Sequence, residues 1–218
     1  MTTFNILYIH GMGGGADSRI PSILNEHIHE YLPEDIRIRF IARTYSFDPE
    51  ISKGQVEAWA DEIHPSLIIG ESLGSLNAIA LKGYPHILVS PSLNAPLFFR
   101  DLAWLALVPG VTPLMDKIYH PKEGDRQPLH FTYSTLKKYG ALRKRALMNS
   151  TKAGSKDYFH AFFGTHDHYR KSGVVSVRSW KKYFGETCTL YEGTHFMEEE
   201  FLHSLLIPEV LKVLHINR

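Results

Sequence analysis

A serine hydroxyl attacks a carbonyl carbon only if it is lifted clear of its surroundings, has a base within reach and has that base held in one orientation. The pentapeptide Gly70-Glu71-Ser72-Leu73-Gly74 offers the first condition. It follows the apolar run Leu67-Ile68-Ile69 and precedes Ser75-Leu76-Asn77-Ala78-Ile79-Ala80-Leu81, which reads as a helix. A tight strand-to-helix turn forces its central residue into strained backbone geometry, and glycines two positions to either side let neighbouring chain approach. The N–H groups and positive dipole end of the following helix favour an oxyanion at the same place. An ordinary Gly-bounded turn is the competing reading.

The second and third conditions require a histidine and a carboxylate at the ends of later strands. After the run Phe159-His160-Ala161-Phe162-Phe163 comes Gly164-Thr165-His166-Asp167-His168, and after Thr187-Cys188-Thr189-Leu190-Tyr191 comes Glu192-Gly193-Thr194-His195-Phe196. Asp167 and His195 therefore sit where strand-end loops are expected. The chain has 13 histidines, so a lone histidine carries little weight; His195 carries more because of its place. Glu192 and Asp157 are rival carboxylates, both less well placed relative to a strand end.

Such residues need a scaffold that brings strand ends together. Apolar runs at 4–9, 36–42, 67–69, 87–89, 159–163 and 187–191, each closed by glycine or a turn residue, read as buried strands. Helix-length segments at 21–31, 55–62, 73–81 and 174–183 lie between most of them. Strand alternating with helix implies an α/β fold, a doubly wound and mainly parallel sheet covered on both faces. With 218 residues against roughly 150 per domain, one domain with an insertion is expected. The alternation breaks between Ser90 and Tyr158, a stretch too long for an ordinary crossover. Residues 96–151 are accordingly expected to form a helical cap over Ser72. Its first half is apolar, and Leu97, Phe98, Phe99, Leu102, Trp104, Leu105, Leu107 and Val108 are expected to face a substrate tunnel or the core rather than water. Phe98 and Trp104 are the candidate substrate contacts.

In combination these residues resemble the α/β-hydrolase superfamily over nearly the whole chain. Leu7-Tyr8-Ile9-His10-Gly11-Met12-Gly13-Gly14 is similar to the family's strand and HG-x-G oxyanion loop, and Ser, Asp, His is the family's triad order. The resemblance implies Ser72, Asp167 and His195 as catalytic residues and the backbone N–H groups of Met12 and Leu73 as oxyanion donors. The family's two N-terminal strands are absent, so a compact member is implied. Among compact members the chain looks most like YqiA-type esterases, through the early His-Gly loop, the G-x-S-L-G elbow, Ser90-Pro91-Ser92-Leu93-Asn94-Ala95-Pro96 and the inserted helical region.

Two other patterns compete. Gly11-Met12-Gly13-Gly14-Gly15-Ala16 fits G-x-G-x-x-A, and Tyr133-Ser134-Thr135-Leu136-Lys137 fits Y-x-x-x-K; together they suggest an NADP-dependent short-chain oxidoreductase. A dinucleotide site prefers an acidic residue closing the second strand, whereas here Arg43-Thr44-Tyr45 follows. His166-Asp167-His168 hints at metal but lacks companions at ligand spacing. The expectation is a serine esterase or thioesterase that needs no cofactor or metal and acts on a small acyl substrate. A catalytically silent ligand-binding or interaction protein of the same fold is the alternative.

Composition agrees with a globular enzyme. A hydrophobic content of 44%, with 16 Gly and 12 Pro, excludes collagen-like and disordered chains. The net charge of +1 supplies no field for gripping a nucleic acid, and the basic run from Lys137 to Lys144 reads as a solvated helix face. One cysteine, Cys188, cannot form an internal bridge, and no secretory signal is readable, so a cytoplasmic location is expected. The uncharged stretch 102–115 contains two prolines and falls short of the roughly 20 residues of a membrane span.

Overall fold

A computed structural model describes residues 1–121 and 123–216. The six apolar runs form β1 (Thr2–Ile9), β2 (Ile36–Ala42), β3 (Leu67–Glu71), β4 (His86–Val89), β5 (Phe159–Gly164) and β6 (Cys188–Tyr191). Every pairing is parallel, and the order across the sheet is β2-β1-β3-β4-β5-β6. Successive strand residues point to opposite faces, so continuous apolar runs supply two cores at once. Leu7, Ile9, Ile68 and Leu88 enter one, and Ile6, Tyr8, Leu67, Ile69, Ile87 and Val89 enter the other.

The helices are α1 (Arg19–His27), α2 (Pro49–Ile63), α3 (Ser75–Ala80), α4 (Ala95–Leu105), α5 (Val111–Ile118), α6 (Tyr133–Leu147), α7 (His168–Ser172), α8 (Val177–Phe184), α9 (Glu199–Phe201) and α10 (Ile207–Val213). The last two flank a π-helical turn, Leu202–Leu206. Helix α2 starts six residues before the expected segment, because Asp48 caps it by accepting from the Glu50 N–H at 2.9 Å and Pro49 opens its first turn. The C-terminal helical segment, unread in the sequence, buries Leu202, Leu206, Ile207 and Val210 against the second core.

The strand order positions the site. From β1 the chain moves outward to β2, then returns to the other side of β1 to form β3. The connections leaving β1 and β3 therefore diverge, and a crevice opens beyond their carboxyl ends, where ligands bind in such sheets. The first turn after β1 carries Gly11 and Met12, and the turn after β3 carries Ser72. This order also departs from the dinucleotide-binding 3-2-1-4-5-6 arrangement.

Residues 96–151 contain α4, α5 and α6, with α4 packed on α6. Ala95, Pro96 and Ala103 are buried, and the Phe99 ring meets Tyr139 edge-on at 4.9 Å. The expectation that the apolar side chains here avoid water does not hold for most of them. Leu97, Leu105, Leu107 and Val108 are exposed, as are Phe98 (44%) and Trp104 (58%). The cause is geometric: α4 is apolar on more than one face and packs chiefly on α6, which leaves the rest of its apolar surface outward. Among the described residues no helix is long and apolar enough to cross a membrane.

Candidate active site

Ser72 has φ +48°, in the left-handed region that non-glycine residues rarely adopt. The flanking glycines make that turn feasible. A Cβ on Gly70 would lie 2.7 Å from Ala78 Cβ, and one on Gly74 would lie 2.1 Å from the His10 carbonyl oxygen. Ser75 Oγ donates to the Gly70 carbonyl at 3.1 Å, and Glu71 accepts from the Tyr8 hydroxyl at 2.6 Å. The turn is thus braced on both sides of the serine.

Ser72, His195 and Asp167, distant in sequence, form one continuous chain of hydrogen bonds. His195 Nε2 lies 2.8 Å from Ser72 Oγ, and His195 Nδ1 lies 2.7 Å from Asp167 Oδ2. Both the imidazole (3% exposed) and the carboxylate (0%) are sealed from solvent, where such bonds are strong and poorly screened. The Asp167 carboxylate accepts a hydrogen bond from Nδ1–H, which keeps the proton on that nitrogen and leaves the Nε2 lone pair for the serine hydroxyl, a tautomer that follows from the network. Asp167 is also the N-cap of α7, its Oδ1 accepting from the Tyr169 N–H at 2.8 Å. Capping and orientation therefore coexist in one side chain, one oxygen for each.

Close approach at β5 sets the His195 loop. A Cβ on Gly164 would fall 2.2 Å from the Thr194 carbonyl oxygen, so glycine lets the loop after β6 lie over the end of β5. Glu198 holds the same loop by accepting from the Thr194 N–H at 3.0 Å. The rings of Tyr169 and Phe196 stand edge-on to His195 at 4.6 and 5.2 Å. The rival carboxylates lie elsewhere. Glu192 is exposed, and Asp157, at the opposite end of β5, accepts from Gly83 N–H and Asn149 Nδ2.

The loop after β1 lies against the serine: a Cβ on Gly11 would be 3.1 Å from Ser72 Cβ and 3.8 Å from Ser72 Oγ. Met12 follows directly, and Leu73 lies in the first turn after Ser72, where helical N–H groups lack intrahelical acceptors. Gln127 braces the loop. Its Oε1 accepts from Gly13 N–H at 3.2 Å, its backbone N–H donates to the Gly14 carbonyl at 2.7 Å, and its Nε2 donates to the Tyr45 carbonyl at 3.1 Å. Tyr45 in turn donates to the His10 carbonyl at 2.6 Å and stacks on the His10 ring at 4.2 Å. Burial pushes the His10 imidazole down to about 4.

This bracing also accounts for the glycine pattern that resembled a dinucleotide loop. Gly15 bridges to Arg126, and a Cβ there would be 1.6 Å from the Asp125 carbonyl oxygen. The glycines admit the chain's own return strand. Tyr133 and Lys137 are a surface cation–π pair on α6 at 5.6 Å, with Lys137 also 5.5 Å from the Trp104 ring. Trp104 otherwise meets Tyr133 edge-on at 5.3 Å. Among the described residues no hydrogen bond or ring contact joins Phe98 or Trp104 to Ser72, Asp167 or His195.

One site residue escaped the sequence reading. Ser92, buried just after β4, places Oγ 3.1 Å from Ser72 Oγ and donates its backbone N–H to the Ser72 carbonyl at 3.1 Å. In the sequence nothing beyond its place after a strand marks it; in the structure Ser90, two residues earlier, takes a positive φ of 47°.

No family model and no curated protein matches the sequence. Solved structures do. Est1E from Butyrivibrio proteoclasticus, with ferulic acid bound, is similar over 97% of this chain and 90% of its own at 16% identity and a TM-score of 0.63. A structure from work on the metagenome-derived lipolytic enzymes LipS and LipT is similar over 98% and 94% at 16% identity and 0.59. A thermophilic esterase from Thermogutta terrifontis, with malate bound, is similar over 97% and 90% at 12% identity and 0.59. Likeness at such identities is likeness of fold, and together with the six-stranded parallel sheet it establishes that this chain has a compact α/β-hydrolase fold.

Proposed function

We propose that the protein is a serine hydrolase of carboxylic esters or thioesters. The observation that carries this reading is His195, held between Ser72 Oγ at 2.8 Å and Asp167 Oδ2 at 2.7 Å in a sealed setting. Ser72 Oγ attacks the acyl carbon while His195 Nε2 takes its proton. Asp167 keeps Nδ1 protonated and stabilises the imidazolium. Collapse of the tetrahedral intermediate expels the alkoxide or thiolate, which leaves with the proton from Nε2. Water, deprotonated by the same nitrogen, then releases the acid and restores Ser72.

The N–H groups of Met12 and Leu73 take the oxyanion, each lowering the barrier by roughly 2.7–4 kcal/mol in comparable sites. Placement of the β1 loop against Ser72 and of Leu73 at a helix start supports this assignment. The acyl chain is assigned to the insertion. Gln127, within the insertion, holds the β1 loop that lies against Ser72 through Gly13 and Gly14. That contact supports placing residues 96–151 beside the site, and the exposed side chains of Phe98 and Trp104 are the apolar surface assigned to the acyl chain. The structural neighbours include enzymes described as esterases and lipolytic enzymes, in keeping with this reading.

Reaction with a fluorophosphonate probe is the direct test, since it requires an activated serine. Labelling at Ser72, abolished in Ser72→Ala, supports the proposal; an unlabelled folded chain overturns it and leaves a ligand-binding role for the fold.

A further inference from the structure

Helix α1 ends at His27, and α9 runs directly into the π-helical turn that carries His203. One ligand atom from each of His27, Glu199 and His203 lies within 4.8 Å of the other two. The two imidazoles meet edge to face at 5.2 Å, and Glu199 Oε1 is 3.9 Å from His203 Nε2. Glu199 and His203 are four residues apart on one helical segment, so they share a face.

The other nitrogen of each ring is already engaged. His27 Nδ1 lies 2.9 Å from Glu30 Oε1, and His203 Nδ1 lies 2.9 Å from the Tyr31 hydroxyl. Glu30 thus draws the His27 proton to Nδ1 and leaves Nε2 with its lone pair. Histidines that bind metals are oriented in this manner, by a carboxylate or other polar partner on the far nitrogen. The π-helical turn is a second sign, because such turns are rare and occur often at functional sites.

We propose that His27, Glu199 and His203 bind one divalent transition-metal ion of the zinc class, which staples the end of α1 to the helical segment following the His195 loop. Two imidazoles and one carboxylate suit zinc and its neighbours; magnesium and calcium prefer all-oxygen shells. Bonds of about 2.0–2.1 Å require the donors to close to roughly 3.3 Å. Glu199, 58% exposed, has room to swing inward, and water completes the shell. Sequence spacing gave no hint of such a centre, because the cluster joins residues from opposite ends of the chain. It uses none of the residues assigned to ester cleavage and stands apart from that proposal.

The test uses the full-length chain without a histidine tag and zinc chloride alone. Equilibrium dialysis should find about one ion per chain, and a hundredfold excess over Kd should raise Tm by roughly 5–10 °C. Magnesium and calcium should give no shift. His203→Ala and, as a milder change, Glu199→Gln should each abolish the zinc shift while fluorophosphonate labelling and circular dichroism stay as in the wild type. Absence of a wild-type shift overturns the proposal. So does an undiminished shift in a folded His27→Ala/His203→Ala double variant, which would put the ion on other histidines.

Discussion

Ser92 Oγ lies 3.1 Å from Ser72 Oγ, so the serine hydroxyl is held between a second hydroxyl and the His195 imidazole. The Ser92 backbone N–H also ties down the Ser72 carbonyl. Ser92 is thus a positioning residue for Ser72. Ser92→Ala keeps the backbone tie and loses only the hydroxyl, a net loss of roughly 0.5–1.5 kcal/mol. We expect kcat to fall about 2- to 12-fold with KM unmoved and fluorophosphonate labelling slowed but complete. A change confined to KM or Tm would assign Ser92 to substrate binding or to packing instead.

Ser72→Ala should fold normally and lose at least about 10³-fold in turnover, because only binding and oxyanion stabilisation then remain. Ester hydrolysis above one tenth of the wild-type rate in the purified variant would end the assignment of Ser72 as nucleophile.

Asp167→Asn should cut kcat by orders of magnitude, the cost of admitting the wrong His195 tautomer, about 10⁴-fold in the best-studied triad. Asparagine still accepts from the Tyr169 N–H, so the cap on α7 and the fold should survive. Glu192→Gln and Asp157→Asn should be mild. A damaging Glu192→Gln beside a mild Asp167→Asn would reverse the choice of acid.

The four inner strands were legible because each carries a short apolar run buried on both faces, and a run such as Leu67-Ile68-Ile69 has few other places to go. The edge strands β2 and β6, with Arg37, Arg39 and Leu190 exposed, were legible from their apolar content and the turn residues that bound them. Ser72, Asp167 and His195 were legible because each follows such a run at its carboxyl end. Ser92 was not, since a second serine near a strand end has no distinctive spacing. Gln127 and Tyr45 were hidden for another reason: they brace the Gly11 loop through contacts across the insertion, which no local pattern encodes. The helix at α2 was read six residues short because Asp48 and Pro49, a cap and a first-turn proline, were passed over. The outward face of α4 was misjudged because apolar content does not reveal how many layers are present to cover it.

Two buried histidines make stability fall with acid. Burial lowers His86 and His10 from an ordinary 6.5 to about 4. Below pH 6.5 the unfolded chain binds protons that the folded chain refuses, so stability is lost as pH falls from about 6.5 to 4 and levels off below that. Each shift corresponds to roughly 3 kcal/mol. His86 stacks on Phe159 at 4.8 Å, with Nε2 3.0 Å from the Ala78 carbonyl. His86→Gln keeps a donor for that carbonyl and should flatten the slope of urea-derived stability between pH 7 and 4.5. An equally steep slope in the variant would remove His86 from the account.

The outward apolar face of α4 bears on acyl preference. Phe98 and Trp104 stay substantially exposed although Phe99 beside them packs inward on Tyr139. Apolar surface left in water is stabilised by roughly 25 cal/mol for each Å² that a ligand covers. If the insertion receives the acyl chain, each added methylene contributes at most about 0.8 kcal/mol, nearly a fourfold gain in kcat/KM per carbon. A series of p-nitrophenyl esters should therefore climb from acetyl toward medium chains. Phe98→Ala and Trp104→Ala should flatten that climb while acetyl turnover stays near the wild-type value. Because both side chains are exposed, neither substitution should lower Tm by more than a few degrees, which separates lost substrate contact from lost packing. A wild-type profile that peaks at acetyl and falls steeply would exclude the insertion as the acyl site, even with Ser72 confirmed as the nucleophile.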